Sequence, residues 1–181
     1  MKLGNQYIIP FKGLKDGEHD FRFSLEQKFF DEHELLESPG GDINVNIVLN
    51  KMTTMLTLSV SIEGEIDLQC DRCLDYFKFQ VKYTGRLVVK FGETSDKDND
   101  EMWFIHPNEH ELNLEQYLYE CLSLSLPIRK IHPDKPNGES NCNPEMLKKL
   151  ESHKLKHKLL EEYNDPRWNG LKDLLNDTNN N

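Results

Sequence analysis

From Ile43 to Phe91 hydrophobic and polar positions alternate almost without a break. Ile43, Val45, Ile47 and Leu49 share one face, with Asn44, Asn46 and Asn50 mostly on the other. After the polar stretch Lys51–Thr54, residues Leu56, Leu58, Val60 and Ile62 resume the pattern, and Ile66 and Leu68 keep its phase. Phe77, Phe79, Val81, Tyr83, Leu87, Val89 and Phe91 then follow at a spacing of two. Period-two alternation over such lengths predicts long strands with one apolar face, and hence an antiparallel sheet covered on one side and wet on the other.

Shorter elements flank this block. Tyr7-Ile8-Ile9 with Phe11 reads as a first strand, and Phe21, Phe23 and Leu25 alternate in a second after the turn-like Lys15-Asp16-Gly17. Gln27–Glu37 predicts a short helix stopped by Ser38-Pro39-Gly40-Gly41. Gly92–Glu101 is polar and acidic and predicts a mobile loop, after which Met102–Ile105 returns as a strand. Asn113 can cap a helix in which Leu114, Tyr117, Leu118 and Cys121 fall at i, i+3, i+4 and i+7, and Pro127 ends it. Ile128–Asn143 is rich in breakers and reads as a loop. Pro144–Tyr163 has helical composition without one clean apolar stripe. Asp165-Pro166 begins a last helix with Trp168, Leu171, Leu174 and Leu175 on one face, and a polar tail follows. The organisation expected is a sheet domain over residues 1–127, a basic loop and helical extension over 128–176, and a disordered tail over 177–181. The fold class is α+β: a curved, partly barrel-like antiparallel sheet with flanking helices.

Composition narrows the class. The chain has 181 residues, 36% of them hydrophobic, and a formal net charge of −10. The average surface therefore repels nucleic acid, and contact with RNA requires a local basic patch or a protein intermediary. No stretch approaches the roughly 20 apolar residues of a membrane helix, and the start has no apolar run of signal-peptide length. These features predict a cytoplasmic protein with reduced thiols.

Candidate chemistry centres on Cys70-Asp71-Arg72-Cys73-Leu74, between two long strands. Cys70 continues the phase of Leu68, so its side chain leans to the covered face. Two cysteines three positions apart are either buried core thiols or half of a tetrahedral zinc site, which needs two more ligands. Cys121 belongs to a helix face. Cys142, in the polar loop, can swing toward the turn, as can His132. The metal set read from the sequence is Cys70, Cys73 and Cys142, one ligand short, so zinc is a possible cofactor rather than an expected one. A redox pair fits less well, because a strand rather than a helix follows the motif.

The second feature is charge. Ile128–Lys158 holds Arg129, Lys130, Lys135, Lys148, Lys149, Lys154, Lys156 and Lys158 against four acidic residues, a local +4 in an acidic chain. It is the candidate footprint for RNA phosphates; the plain alternative is a solvated helix surface. Arg72, at the turn tip, can meet a phosphate or carboxylate, or pair with Asp71, Asp75 or Glu65 and order the turn. His106 and His110 stand four apart outside any helix. No phosphate-cradling glycine loop and no nucleophile elbow appear, so neither an enzyme nor a small-molecule substrate is indicated.

A strand ending in Cys70-x-Arg72-Cys73-Leu74 and followed by an alternating strand resembles the YceD family of large ribosomal RNA subunit accumulation proteins. Further resemblance lies in Tyr7-Ile8-Ile9-Pro10-Phe11 with Gly13, Leu14 and Gly17. It continues in Leu112-Asn113-Leu114 through Leu126-Pro127, and in Asp165-Pro166-Arg167-Trp168 with Leu171 and Leu174. Relatives commonly place further cysteines after the Leu-Pro; in this chain Cys142 takes that place. The resemblance implies a non-enzymatic role in making or accumulating large-subunit ribosomal RNA, with that RNA or ribosomal and assembly proteins as partners. The residues expected to make contact are Arg72, Arg129, Lys130, Lys148, Lys149, Lys154, Lys156 and Lys158.

Overall fold

The computed structural model describes residues 7–33, 38–92 and 102–153. The elements, in chain order, are β1 (Ile8–Ile9), a 3-10 turn (Phe11–Gly13), β2 (Gly17–Leu25), α1 (Gln27–Glu32), β3 (Gly41–Lys51), β4 (Met55–Gln69), β5 (Tyr76–Phe91), β6 (Met102–Ile105), β7 (Leu112–Asn113), α2 (Glu115–Ser125) and α3 (Pro144–His153). Most of the acidic stretch 92–101, the segment from Lys154 to Lys158, the helix expected from Asp165 and the tail lie outside the described residues. The chain divides into two compact units, Met1–Cys142 and Asn143–Asn181.

An open five-stranded sheet in the order β2-β3-β4-β5-β6 forms the first unit's frame, beside a two-stranded ribbon of β1 and β7. β2 to β5 are antiparallel throughout, as their alternation requires. In β3 and β4 the register sets Ile43 opposite Gly64, Val45 opposite Ile62 and Ile47 opposite Val60. These side chains, except that of Gly64, are buried with Leu49, Leu56, Leu58, Ile66 and Leu68 on one face. Asn44, Asn46 and Ser59 are exposed on the other. β6 departs from the antiparallel plan and runs parallel to β5, with Val88 opposite Met102 and Phe91 opposite Ile105. A four-residue strand carries too little alternation to declare its direction.

The covered face is closed by the ribbon, α1 and α2. Tyr7, Ile9, Phe11, Phe29, Phe30, Leu112, Leu114, Leu118, Cys121 and Leu122 join the strand residues in one core cluster. Phe11 does not extend β1. Pro10 cannot donate to a ladder, and the chain turns there while Phe11 remains buried against Phe91, their rings 5.5 Å apart. The N-cap of α2 is Leu114 rather than Asn113, whose Oδ1 accepts the Glu115 N–H at 2.9 Å from one residue earlier; the buried residues of α2 are Leu118, Cys121 and Leu122. In the second unit, Asn143 Oδ1 accepts the Glu145 N–H at 3.0 Å, with Pro144 in the first turn of α3. α3 buries none of its residues.

Gly64 sits within β4 at φ 155°, where a Cβ would collide with the backbone of Asp42 and Ile43 on β3. Its glycine is thus a condition for close approach of the two strands. Gly64→Ala is expected to lower the unfolding free energy by about 2 kcal/mol or more, with a fall in Tm of about 5 °C or more. Thermal unfolding followed by circular dichroism checks this; an unchanged Tm would contradict the pairing of Gly64 with Ile43.

Candidate metal centre

β4 delivers Cys70 to the covered side. Leu56, Leu58, Val60, Ile62, Ile66 and Leu68 are buried in sequence, and Cys70 follows in phase at 0% exposure. The chain then reverses through Asp71-Arg72-Cys73. The Leu74 N–H donates to the Cys70 carbonyl at 2.9 Å, and the Cys70 N–H donates to the Asp75 carbonyl at 2.9 Å. Leu74 closes the turn at φ 64°, a left-handed conformation rarely adopted by a leucine. This geometry points backbone N–H groups at the first sulfur. Burial pushes the Cys70 thiol up. Hydrogen bonds from the backbone of Cys73, Arg72 and His132 and from the His132 side chain outweigh it and hold the thiol well below its ordinary range.

A second segment is tied onto this turn. The Asp71 N–H donates to the Lys130 carbonyl at 2.7 Å, and the Lys130 N–H donates to Asp71 Oδ2 at 2.7 Å. This pair of hydrogen bonds fixes residues 128–132 against the cysteine turn. The chain then reverses at Lys135–Glu139, where the Lys135 N–H meets the Glu139 carbonyl at 2.8 Å, with Gly138 at φ 81°. The reversal carries Cys142 back beside His132.

Cys70, Cys73, His132 and Cys142 consequently converge, with one ligand atom of each inside a 4.8 Å span. Cys70 Sγ lies 3.7 Å from Cys142 Sγ; His132 Nδ1 lies 3.5 Å from Cys73 Sγ and 3.9 Å from Cys142 Sγ. Tetrahedral zinc sets sulfurs about 3.8 Å apart, and sulfur and nitrogen about 3.5 Å apart, from bond lengths of about 2.3 and 2.05 Å. The donor set fits such an ion. All three thiols are buried and unbonded to one another. Burial pushes the Cys142 thiol up, the Ser140 hydroxyl lowers it, and Cys70 and Cys73 raise it further. Crowded sulfurs oppose each other's ionisation, a conflict that a cation removes. The Phe77 ring covers one side of His132 at a centroid distance of 4.8 Å.

The structure thus brings together four groups of the kind that a tetrahedral site needs. Cys142 lies beside Cys70 and Cys73, and His132 is the fourth member of the group. Its signal was its position ten residues before Cys142 in a loop of breakers. The Asp71–Lys130 pairing that brings it in has no sequence signature. Cys121 stays on the face of α2, raised by burial and hydrogen-bonded by Tyr83 and Tyr117. His106 and His110 do not meet: His106 Nδ1 accepts the Asn108 N–H, and His110 Nε2 faces Lys12 Nζ.

The expected contact residues divide. Arg72 is exposed at the turn and makes no ion pair among the described residues. Asp71 is occupied by Lys130, and Glu65 by Lys78 and Gln80. The Asp71–Lys130 pairing brings the segment of Arg129 and Lys130 to the same turn. Arg129 is exposed, as are Leu74 (56%), Tyr76 (58%) and Ile128 (101%). Lys148 and Lys149 are exposed on α3 in the second unit, while Lys154, Lys156 and Lys158 lie outside the described residues.

No curated protein and no solved structure matches the chain. The family described as large ribosomal RNA subunit accumulation protein YceD matches residues 58–175. The matched span contains the cysteine turn, α2 with its Leu-Pro end, His132, Cys142 and the Asp165–Trp168 motif; the opening Tyr7–Gly17 motif precedes it. With about two thirds of its length matched, including all four residues of the cluster, the chain belongs to the YceD family, whose description ties it to the accumulation of large-subunit ribosomal RNA.

Proposed function

We propose that the protein acts in large-subunit ribosomal RNA accumulation by binding RNA, without catalysis, through a surface ordered by one zinc ion. The observation that carries this reading is the convergence of Cys70, Cys73, His132 and Cys142. Four protein ligands fill tetrahedral coordination and leave no open position for water or substrate, so zinc at this site would be structural. It would add a second tie beside the Asp71–Lys130 hydrogen bonds and fix the 128–142 loop on the cysteine turn.

That tie has a consequence for recognition. In a chain of net charge −10, it gathers Arg72, Arg129 and Lys130 at one end of the sheet. Beside them stands the exposed Tyr76. Cations that meet phosphates, with an aromatic face on which a base can stack, form the usual arrangement for single-stranded RNA. Lys148, Lys149, Lys154, Lys156 and Lys158 extend the proposed footprint along the chain. No helix among the described residues is long and apolar enough to cross a membrane, and the proposed site of action is the cytoplasm.

Protein purified without chelator is expected to carry one zinc per chain. Cys70→Ser and Cys142→Ser should lose it, and Cys121→Ala should keep it. Chelation should lower Tm by about 10 °C. Elemental analysis with thermal unfolding checks this, and a metal-free protein with three titratable thiols at the site would refute the metal reading. For RNA, Arg72→Ala and Arg129→Ala are each expected to weaken binding and reduce the slope of log K against log salt by about 1. Tyr76→Ala should cost about 1–3 kcal/mol with the slope unchanged. Filter binding at several salt concentrations measures both. Binding that ignores salt and these variants would point to a protein partner instead.

A further inference from the structure

A cleft of about 260 Å³ opens at the other end of the sheet, between the Phe11–Gly13 turn, the β3–β4 hairpin and the β6–β7 loop. β5 runs from Tyr76 beside the cysteine turn to Phe91 in this cleft, roughly 50 Å for an extended strand. The two places are therefore separate sites on one rigid element. We propose that the cleft binds a single nucleotide, its phosphate held by Lys12 and Lys51 and its base laid on Phe91, which the buried Phe11 backs.

The lining has three kinds of surface, and the proposed ligand uses all of them. The partly exposed Phe91 forms an apolar floor, backed by the buried Phe11 at a ring angle of 38°, with Pro107 at its side. The Lys51 ammonium is held on the Leu14 carbonyl at 2.6 Å, and the Lys12 ammonium on His110 Nε2 at 3.1 Å. The Lys12 N–H also donates to the His110 carbonyl at 3.3 Å, which anchors the turn to the loop. Neither ammonium pairs with a carboxylate among the described residues, and each keeps further N–H donors beyond the one used. Thr53 and Glu109 supply a hydroxyl and a carboxylate at the rim.

This combination selects among ligand classes. A bare anion would be held by the lysines but would leave the floor empty and meet the Glu109 charge. An apolar ligand would leave two ammonium groups without an anion. A nucleotide offers phosphate oxygens to the lysines, a flat ring to the floor, and ribose hydroxyl or base amino donors to Glu109. The volume lies below the range of about 300–1,000 Å³ usual for drug-sized pockets, which limits the occupant to about one nucleotide. The nucleotide can be free or one residue of a single-stranded RNA, since both present the same groups.

The test uses the full chain with its metal centre intact and follows the amide resonances of Lys12, Thr53 and Glu109 while AMP is added. Saturable shifts with a Kd of about 1 mM or tighter are expected. Adenosine and inorganic phosphate should bind about tenfold more weakly, as should AMP to Lys12→Met and to Lys51→Met. Glu109→Gln should narrow the preference for AMP over inorganic phosphate. Lys12 is exposed, so its variant remains informative if loss of the Lys51–Leu14 bond disturbs the hairpin. An oligoadenylate that shifts the same amides identifies RNA as the source, whereas shifts with AMP alone identify a free nucleotide. The proposal falls if AMP produces no saturable shift, if inorganic phosphate binds as well as AMP, or if both lysine variants bind AMP like the parent. Arg72→Ala and Arg129→Ala should leave these shifts unchanged, so the cleft and the RNA surface at the metal centre stand or fall separately.

Discussion

Along β4, Leu56, Leu58, Val60, Ile62, Ile66 and Leu68 are buried on the covered side of the sheet, with the partly exposed Gly64 in their phase, and Cys70 is the next position in that series. The rest of the site depends on this phase. A slip of one residue would turn the whole apolar set to solvent, and it would also turn Cys70 outward. Burial of the strand face and delivery of the first thiol are therefore one requirement. The turn after Cys70 then sets Cys73 back on the same side, with the left-handed Leu74 accepting the backbone cost of so tight a reversal.

Two kinds of tie act on the loop that completes the site. The Asp71–Lys130 hydrogen bonds need no metal and place His132 within reach. The sulfur and imidazole cluster could be drawn together by a cation, which would let its crowded thiols ionise side by side. The loop buries little apolar side chain of its own: Ile128 is fully exposed, and Cys142 is its one buried residue. Such a segment draws its order from a few polar contacts and ligand bonds rather than from a core. Zinc would thus govern the presentation of Arg129 and Lys130, while the sheet behind the turn keeps its own core.

The parts of the fold legible in the sequence are those in which burial imposes a period. β3, β4 and β5 alternate because one face is covered, and α2 shows its stripe because Leu114, Leu118, Cys121 and Leu122 meet that face. The direction of β6 was not legible, since four residues pair equally well either way. Phe11 reads as strand by its neighbours, yet Pro10 ends the ladder before it. Cys70 and Cys73 are legible as a pair because they lie close in sequence, and Cys142 enters the set read from the sequence only as a thiol in a loop able to reach them. His132 and Cys142 lie in a stretch without periodicity, joined to the turn by pairing across 59 residues. The distant cleft was illegible for the same reason: Lys12, Lys51, Phe91 and Glu109 belong to separate turns and strand ends that only the assembled sheet brings together.

Whether Cys70, Cys73, His132 and Cys142 hold one metal ion is measured most directly by X-ray absorption at the zinc edge of the zinc-loaded protein. Three sulfur neighbours at about 2.3 Å and one nitrogen at about 2.0–2.1 Å are predicted. A shell of four sulfurs, or one dominated by oxygen, would contradict that ligand set.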